Sequence, residues 1–145
     1  MGWEDNHLHQ FMAHGTYYGA PAGVSGVSFG PDVANEWDVR LSQIVSGEKD
    51  KFLYQYDFGN SWEHEIHLEK ILSPQEGVRY PACVEGKLAC PPEDVGGIEA
   101  YYSFLEAIED PDRPEHEEML EWVGGYFDPE DFDLDPINKR LKKIK

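Results

Sequence analysis

The side chains best suited to chemistry fall in two short stretches of the sequence. Asp57, Trp62 and His64 surround a Gly-Asn pair, where a carboxylate beside an imidazole is the pairing used in general acid–base catalysis. Glu93 and Asp94 follow two consecutive prolines, which stiffen the backbone and can hold both carboxylates in place. An indole with a few aimed polar groups is typical of a ligand pocket. We therefore expect a ligand cleft where these two stretches meet.

The same residues also have a plain structural interpretation. A histidine on a strand face, like His64 beside Trp62, more often makes a structural hydrogen bond, here to a nearby carbonyl, than acts in catalysis. Glu93 or Asp94 can serve as the cap of a helix that begins near Gly97. Both interpretations stay open at the level of sequence.

Cysteine and histidine provide a second candidate constellation. Cys83 and Cys90 are separated by six residues. A tetrahedral zinc site could be completed by two histidines, His7 and His9 first, with His64 and His67 as alternatives. This spacing is wider than the two-residue spacing of zinc ribbons, so free thiols explain the cysteines more simply, and a disulfide is the third alternative. The cofactor stays unknown at the level of sequence, with zinc as the candidate that these residues suggest.

Several familiar catalytic and binding motifs are missing from the sequence. It has neither a nucleophile elbow nor a glycine-rich phosphate loop. Asp131, Asp133 and Asp135 have the spacing that opens an EF-hand, but Pro136 stands where that loop requires glycine and Lys142 where it requires glutamate. These observations exclude an EF-hand and give no support to nucleotide binding by a known route.

Charge limits the range of partners. The formal net charge is −17, and five of the twelve basic residues lie in the last seven positions. Between Glu93 and Asp135 there are sixteen acidic residues and one basic residue, Arg113. Such a field repels phosphate backbones and attracts cations or a basic protein, so it argues against nucleic acid as a partner. The cationic tail also suits the last turn of a helix, where positive charge favours the helix dipole.

Composition and cysteine usage indicate the compartment. The chain has 145 residues, 40% of them hydrophobic, which is enough for a packed core without disulfide staples. Two cysteines fit a reducing cytoplasm, and no segment of the sequence resembles a signal peptide or a membrane-spanning helix. We therefore expect a cytoplasmic protein without a membrane partner.

Two hairpins and three helices must position these side chains. Alternation over residues 7–13, with a turn at Gly15, predicts the first hairpin. Alternation on both sides of Gly59 and Asn60 predicts the second, with that pair supplying the positive φ of the turn. A short helix near residues 41–45 lies between the hairpins, after a Gly- and Pro-rich loop over residues 19–31.

The sequence of the C-terminal half predicts an irregular segment over residues 73–97, followed by three helices. The first should run from Gly97 to Ile108 with a buried stripe of Ile98, Tyr101, Tyr102, Leu105 and Ile108. The second begins near Pro114, ends at Gly124 and buries Met119, Leu120 and Trp122 or Val123. Asp135 should cap the third, whose stripe is Ile137, Leu141 and Ile144. Strands followed by helices predict an α+β fold, with antiparallel hairpins packed against C-terminal helices in a single domain, residues 1–145.

Four sequence blocks in series resemble the plasmid pRiA4b ORF-3-like family. They are HLHQF at 7–11, YQYDFGNSWEHEIHL at 54–68, CVEGKLACPPEDVGG at 83–97 and EWVGGYFDPEDFD at 121–133. The resemblance implies that a strand and a helix precede this chain in the family, so we expect a natural domain that starts upstream of Met1. It also implies a third cysteine where Val95 stands here, which weakens any metal site at that position.

The resemblance leaves the function open, because members of the family are largely uncharacterised. We expect a binding or interaction module with an acidic face. One alternative is a metal-assisted enzyme that uses a His/carboxylate cluster of Asp57, His64, Glu93 and Asp94. Another is a DNA-acting protein of a mobile element, since some members carry a resolvase label, although the sequence offers no basic groove.

Overall fold

The structure, a computed structural model, describes residues 2–20 and 32–144, and its strands and helices confirm the α+β class. The chain divides into two compact units. The sheet unit is Asp5–Leu72, and the helical unit combines Met1–Glu4 with Ser73–Lys145. The single-domain assignment stays a prediction, and the loop predicted over 19–31 lies, from residue 21 onward, outside the described residues.

The sheet unit contains a five-stranded mixed sheet in the order β3-β2-β1-β4-β5. Its strands are β1 His9–Ala13, β2 Thr16–Gly19, β3 Val33–Asn35, β4 Lys51–Tyr56 and β5 Trp62–His67. Both predicted hairpins are confirmed, and β1 also pairs antiparallel with β4. The parallel pairing of β3 with β2 was missed, because a three-residue strand is too short to show an alternating pattern.

A short helical stretch follows β3. It consists of a 3-10 helix, Glu36–Asp38, and the helix α1, Leu41–Ile44, which confirms the helix predicted before Gly47. Asn35 caps the 3-10 helix by accepting a hydrogen bond from the backbone N–H of Trp37 at 3.0 Å.

The turn of the second hairpin differs from the prediction. The positive φ angles lie at Asp57 (58°) and Ser61 (51°), on either side of the Gly-Asn pair. The carbonyl of Asp57 accepts hydrogen bonds from the backbone N–H groups of Asn60 and Ser61, so the loop is longer than a two-residue turn. The assignment of the turn conformation to Gly59 and Asn60 was therefore wrong.

Alternation in the sheet separates a buried face from an exposed one. Ala13, Phe52 and Tyr56 are buried. Along β5 the half-buried side chains of Trp62, His64 and Ile66 alternate with exposed ones, as the sequence pattern predicted.

The helical unit contains α2 Ile98–Glu109, α3 His116–Val123 and α4 Leu134–Leu141. Gly97, with a φ of 93°, is the residue before α2, and Gly124 ends α3 in the left-handed conformation. Asp133 caps α4 by accepting from the backbone N–H of Asp135 at 2.9 Å. The prediction that Asp135 is the cap was wrong by two residues, because the first aspartate already satisfies a free N–H group.

The buried face of α2 also differs from the predicted stripe. Phe104 and Ala107 are buried, whereas Ile98 and Tyr102 are 54% and 62% exposed. Phe104 forms edge contacts with the rings of Trp122 and Phe127, whose centroids lie 5.7 Å and 5.5 Å away. These ring contacts place Phe104, rather than Ile98 or Tyr102, on the buried face of α2. Ile144, expected in a buried stripe, is 54% exposed. Of the two alternatives for the stripe of α3, Trp122 is 46% exposed and Val123 is half-buried.

The segment 73–97 has neither helix nor strand, as predicted. It is nevertheless fixed by hydrogen bonds within the helical unit. The side-chain amide of Asn138 accepts from the N–H of Cys83 at 2.8 Å and donates to its carbonyl at 2.9 Å. The N–H of Ala89 donates to the carbonyl of Pro129 at 2.9 Å. Among the described residues, no helix is both long and apolar enough to cross a membrane.

Candidate functional site

Asp57, the first of the predicted site residues, holds the β4–β5 turn together. Its side chain is 9% exposed. One carboxylate oxygen accepts from the backbone N–H of Gly59 at 3.2 Å, and the other accepts from the side-chain amide of Asn60 at 2.7 Å. The backbone N–H of Asp57 donates to the carbonyl of Leu8 at 2.9 Å. These contacts give Asp57 a structural role in the turn.

His64 and Trp62 lie on the half-buried face of β5. Nδ1 of His64 is 3.2 Å from the carbonyl oxygen of Tyr54, directly across the hairpin, and the two rings are 5.6 Å apart. This contact is the structural hydrogen bond that the plain interpretation of His64 predicted.

Glu93 and Asp94 belong to the helical unit. A carboxylate oxygen of Glu93 accepts from the backbone N–H of Glu4 at 3.1 Å, and the indole N–H of Trp3 donates to the carbonyl of Pro91 at 2.9 Å. Asp94, with a φ of 61°, is exposed and lines a cleft described below. The predicted cleft requires these two residues to meet the hairpin residues of the sheet unit, and that meeting stays a prediction.

The predicted zinc ligands are divided between the two units and have other contacts. The thiol of Cys83 donates to the carbonyl of Glu85 at 3.4 Å, and Cys90 is also a free, half-buried thiol. The ring of His7 meets the ring of Tyr56 edge-on. Within residues 2–20 and 32–144, no three His, Cys, Asp or Glu side chains are grouped to hold a metal ion. Zinc therefore stays a prediction from the sequence.

His9 takes part in a carboxylate–imidazole–carboxylate chain that the sequence did not predict. Its Nδ1 is 3.2 Å from a carboxylate oxygen of Asp5, and its Nε2 is 3.1 Å from Oε1 of Glu36. Burial, together with the negative charges of Asp5 and Glu36, raises the pKa of the nearby Tyr54 phenol to about 12. The alternation of residues 7–13 placed His9 on a strand, but only the mixed sheet brings Glu36 to it.

Asp50, in the loop before β4, accepts hydrogen bonds from several donors. The backbone N–H and the hydroxyl of Ser46 donate to one oxygen at 2.6 Å and 3.0 Å, and Nε2 of His14 lies 2.9 Å from it. These hydrogen bonds, first that from the Ser46 N–H and then that of His14, hold the pKa of Asp50 well below its usual range.

A large concavity lies in the helical unit, between α2 and α3. It has a volume of about 590 Å³. Its apolar lining comprises Val95, Ala100, Phe104, Ala107, Met119 and Trp122. Its polar lining comprises Asp94, Ser103, Arg113 and Glu115. An apolar wall with a few polar groups is the usual composition of a binding site.

Of these lining residues, only Asp94 was predicted from the sequence as a site residue. Arg113 was noted as the single base in an acidic region, and Trp122 was one of two alternatives, with Val123, for a buried stripe. The guanidinium of Arg113 donates to Glu106 at 2.6 Å, which places it beside α2. The signal that was overlooked is a tryptophan and an arginine within ten positions, because these two residue types are enriched at binding hot spots.

Comparison with known proteins identifies relatives along nearly the whole chain. An uncharacterised protein of Sinorhizobium fredii, y4hQ, is 37% identical over 154 residues, covering 99% of this chain and 73% of the relative. The crystal structure of a protein of unknown function from Methanosarcina mazei, MM3350, has a TM-score of 0.81 at 38% identity, covering 94% of this chain and 75% of that one.

A family match agrees with these relatives. The model for the plasmid pRiA4b ORF-3-like proteins matches residues 1–136. The chain therefore belongs to the plasmid pRiA4b ORF-3-like family, as the four sequence blocks indicated.

Proposed function

We propose that this member of the plasmid pRiA4b ORF-3-like family is an interaction module that binds a basic segment of a partner protein in the cleft between α2 and α3. The observation that carries the proposal is the composition of the cleft, an apolar wall with carboxylates at its edge. A partner segment with apolar and cationic side chains complements both parts.

The apolar part of the cleft offers an anchor site. Trp122 is 46% exposed, and Phe104 beneath it is 3% exposed, so one ring faces the opening while the other supports it. A tryptophan packed against a buried ring is a frequent hot spot of protein interfaces, since it buries a large area at little cost in conformational entropy. A leucine or aromatic side chain of the partner would fill this position.

The electrostatic part selects the sign of the partner's charge. Glu99, Glu106, Glu117, Glu118 and Glu121 are exposed on α2 and α3. The one arginine in the cleft lining, Arg113, pairs with Glu106, so its positive charge is already compensated. Exposed carboxylates on both helices, together with Asp94 and Glu115 in the cleft lining, attract a basic segment and repel an acidic one.

The same charge argues against the DNA-acting alternative. A surface of this sign releases no counterions from a phosphate backbone, and counterion release supplies most non-specific affinity for DNA. We expect no submicromolar duplex binding in about 150 mM salt.

The test uses a fluorescein-labelled amphipathic peptide of lysine and leucine and measures its binding by fluorescence anisotropy. We expect binding that weakens as salt rises, because screening reduces the attraction between the charges. Trp122→Ala should weaken the affinity about tenfold or more. The matched control is Tyr126→Ala, since Tyr126 is an aromatic residue of the same unit, 77% exposed and outside the cleft lining.

Two further peptides separate docking from adsorption by charge. A version with serine in place of leucine should lose most of the affinity, and a version with glutamate in place of lysine should not bind. If the serine peptide binds as well as the leucine peptide, or if Trp122→Ala and Tyr126→Ala behave alike, the cleft is not the docking site and the proposal is wrong.

A further inference from the structure

A smaller pocket in the sheet unit has a different character from the cleft of the helical unit. Its volume is about 190 Å³. Its walls are aromatic and aliphatic, formed by Phe11, Tyr18, Val39, Leu41, Ile44 and Phe52. Glu36 and Arg40 complete the lining. Sequence analysis assigned none of these residues to a site.

Glu36 is the polar group that gives this pocket a chemical preference. Its side chain is 13% exposed, and Oε1 lies 3.1 Å from Nε2 of His9. The other oxygen, Oε2, is buried and has no hydrogen-bond partner among the described residues. An unpaired buried carboxylate oxygen costs free energy until a donor reaches it, and an ionised donor compensates that cost best.

Size and charge together define the ligand class. An apolar cavity of about 150 Å³ holds a benzene ring, so the present pocket has room for a ring or a short branched chain with one further group. The walls suit the apolar body, and the carboxylate of Glu36 suits an N–H group that carries positive charge. We infer that this pocket is a binding site for a small amine with an aromatic or branched-alkyl body, whose ammonium group donates to the carboxylate of Glu36.

The surroundings of Glu36 favour a cation further. Asp5 lies on the far side of His9, with an oxygen 3.2 Å from Nδ1, so two carboxylates flank one imidazole. The pKa of Tyr54 is raised first by burial and then by the negative charges of Asp5 and Glu36. Arg40, at the exposed edge, has the charge of the ligand and therefore opposes its entry rather than assisting it.

The experiment titrates the whole chain with benzylamine and follows the ring protons of Phe11 and Phe52 by NMR, with calorimetry for the affinity. We expect saturable binding with a Kd below about 1 mM, as suits a ligand of this size. Benzyl alcohol, which has the same body without the charge, should bind at least about tenfold more weakly, and phenylacetate should not bind.

Two variants locate the site. Glu36→Gln keeps the volume but removes the charge, and we expect it to weaken benzylamine at least about tenfold. The control Glu65→Gln changes an exposed carboxylate of the same unit and should leave the affinity unchanged. Arg40→Ala should leave the affinity unchanged or raise it, because it removes a like charge.

The comparison of benzylamine, benzyl alcohol and phenylacetate tests the inference even if Glu36→Gln fails to fold. Equal affinity for benzylamine and benzyl alcohol would reduce the pocket to an apolar cavity and overturn the inference. Binding of phenylacetate in place of benzylamine would show that the pocket prefers a negatively charged ligand, which would also overturn the inference. None of these outcomes depends on the cleft between α2 and α3, so this inference and the proposed function fail separately.

Discussion

The sheet unit and the helical unit place their carboxylates in different surroundings. In the sheet unit, Asp57 accepts hydrogen bonds within the β4–β5 turn, Asp50 accepts from Ser46 and His14, and Glu36 faces His9. In the helical unit, the glutamates along α2 and α3 are exposed to solvent.

This contrast separates two uses of the same functional group. A carboxylate that accepts several N–H donors fixes the local backbone, and its removal leaves those donors unpaired. An exposed carboxylate contributes little to stability but adds to the field that a partner meets. Asp57 and Asp50 therefore have a structural role in the sheet unit, whereas the exposed glutamates along α2 and α3 chiefly contribute charge.

The largest expected effect comes from the ring cluster of the helical unit. Phe104→Ala should lower the free energy of unfolding by about 3–5 kcal/mol, because it opens a cavity between Trp122 and Phe127. The measurement is urea denaturation followed by tryptophan fluorescence and circular dichroism. Ile98→Ala on the same helix is the control and should cost much less, since Ile98 is 54% exposed. Equal losses would restore the originally predicted stripe of α2.

The contrast in carboxylates is tested by a pair of variants. Asp57→Ala should cost about 2–3 kcal/mol, since it removes the acceptor for Gly59 and Asn60 and places alanine at a φ of 58°. Glu121→Gln on α3 should change stability by less than about 0.5 kcal/mol. Both values come from the same denaturation experiment. A large loss for Glu121→Gln would remove the distinction between the two units.

The lowered pKa of Asp50 makes the stability of the sheet unit depend on pH. Because its pKa is lower in the folded state than in the unfolded chain, its contribution to stability is fully present above about pH 4 and is lost as the pH falls toward the folded value. Thermal unfolding of the wild type and of Asp50→Asn across this range should therefore show curves that converge at low pH. Parallel curves would mean that the hydrogen bonds from Ser46 and His14 do not favour the charged form.

The smallest effect is expected at the exposed pair of Lys51 and Glu65. Nζ of Lys51 donates to Glu65 at 2.8 Å, and this hydrogen bond, with a second contribution from His67, lowers the pKa of Glu65. Lys51→Met should raise that pKa toward its usual value, as followed by NMR titration, with a change in melting temperature that disappears at high salt. A loss of stability that persists at high salt would show that even exposed carboxylates of the sheet unit are structural.

Much of the local structure was predictable because its causes are local. Alternation over a few residues predicted both hairpins, and glycine and proline at the helix ends predicted α2 and α3 to within a few residues. Errors arose where a distant contact decides between local alternatives. The face of α2 that is buried depends on Trp122 and Phe127, and the pairing of β3 depends on β2.

The candidate sites were less predictable for the same reason. Asp94 was identified from its own loop, but the cleft that it lines depends on how α2 meets α3. Glu36 gave no signal in the sequence, since its significance lies in a buried, unpaired oxygen and in its place in the lining of a pocket built from four separate segments. Residue type and spacing indicate which groups are available, and only tertiary packing determines which of them remain unpaired.

The pair of hydrogen bonds between Asn138 and Cys83 has a consequence for how the chain can be shortened. The side-chain amide offers Cys83 a donor and an acceptor, as a neighbouring strand would, across 55 positions of sequence. A chain ended before residue 138 would release this point of the irregular segment, and trypsin should then cut readily after Lys87. A chain that lacks only the last four residues retains α4 and should resist cleavage there. The C-terminal helix thus holds in place a segment that has no regular structure of its own.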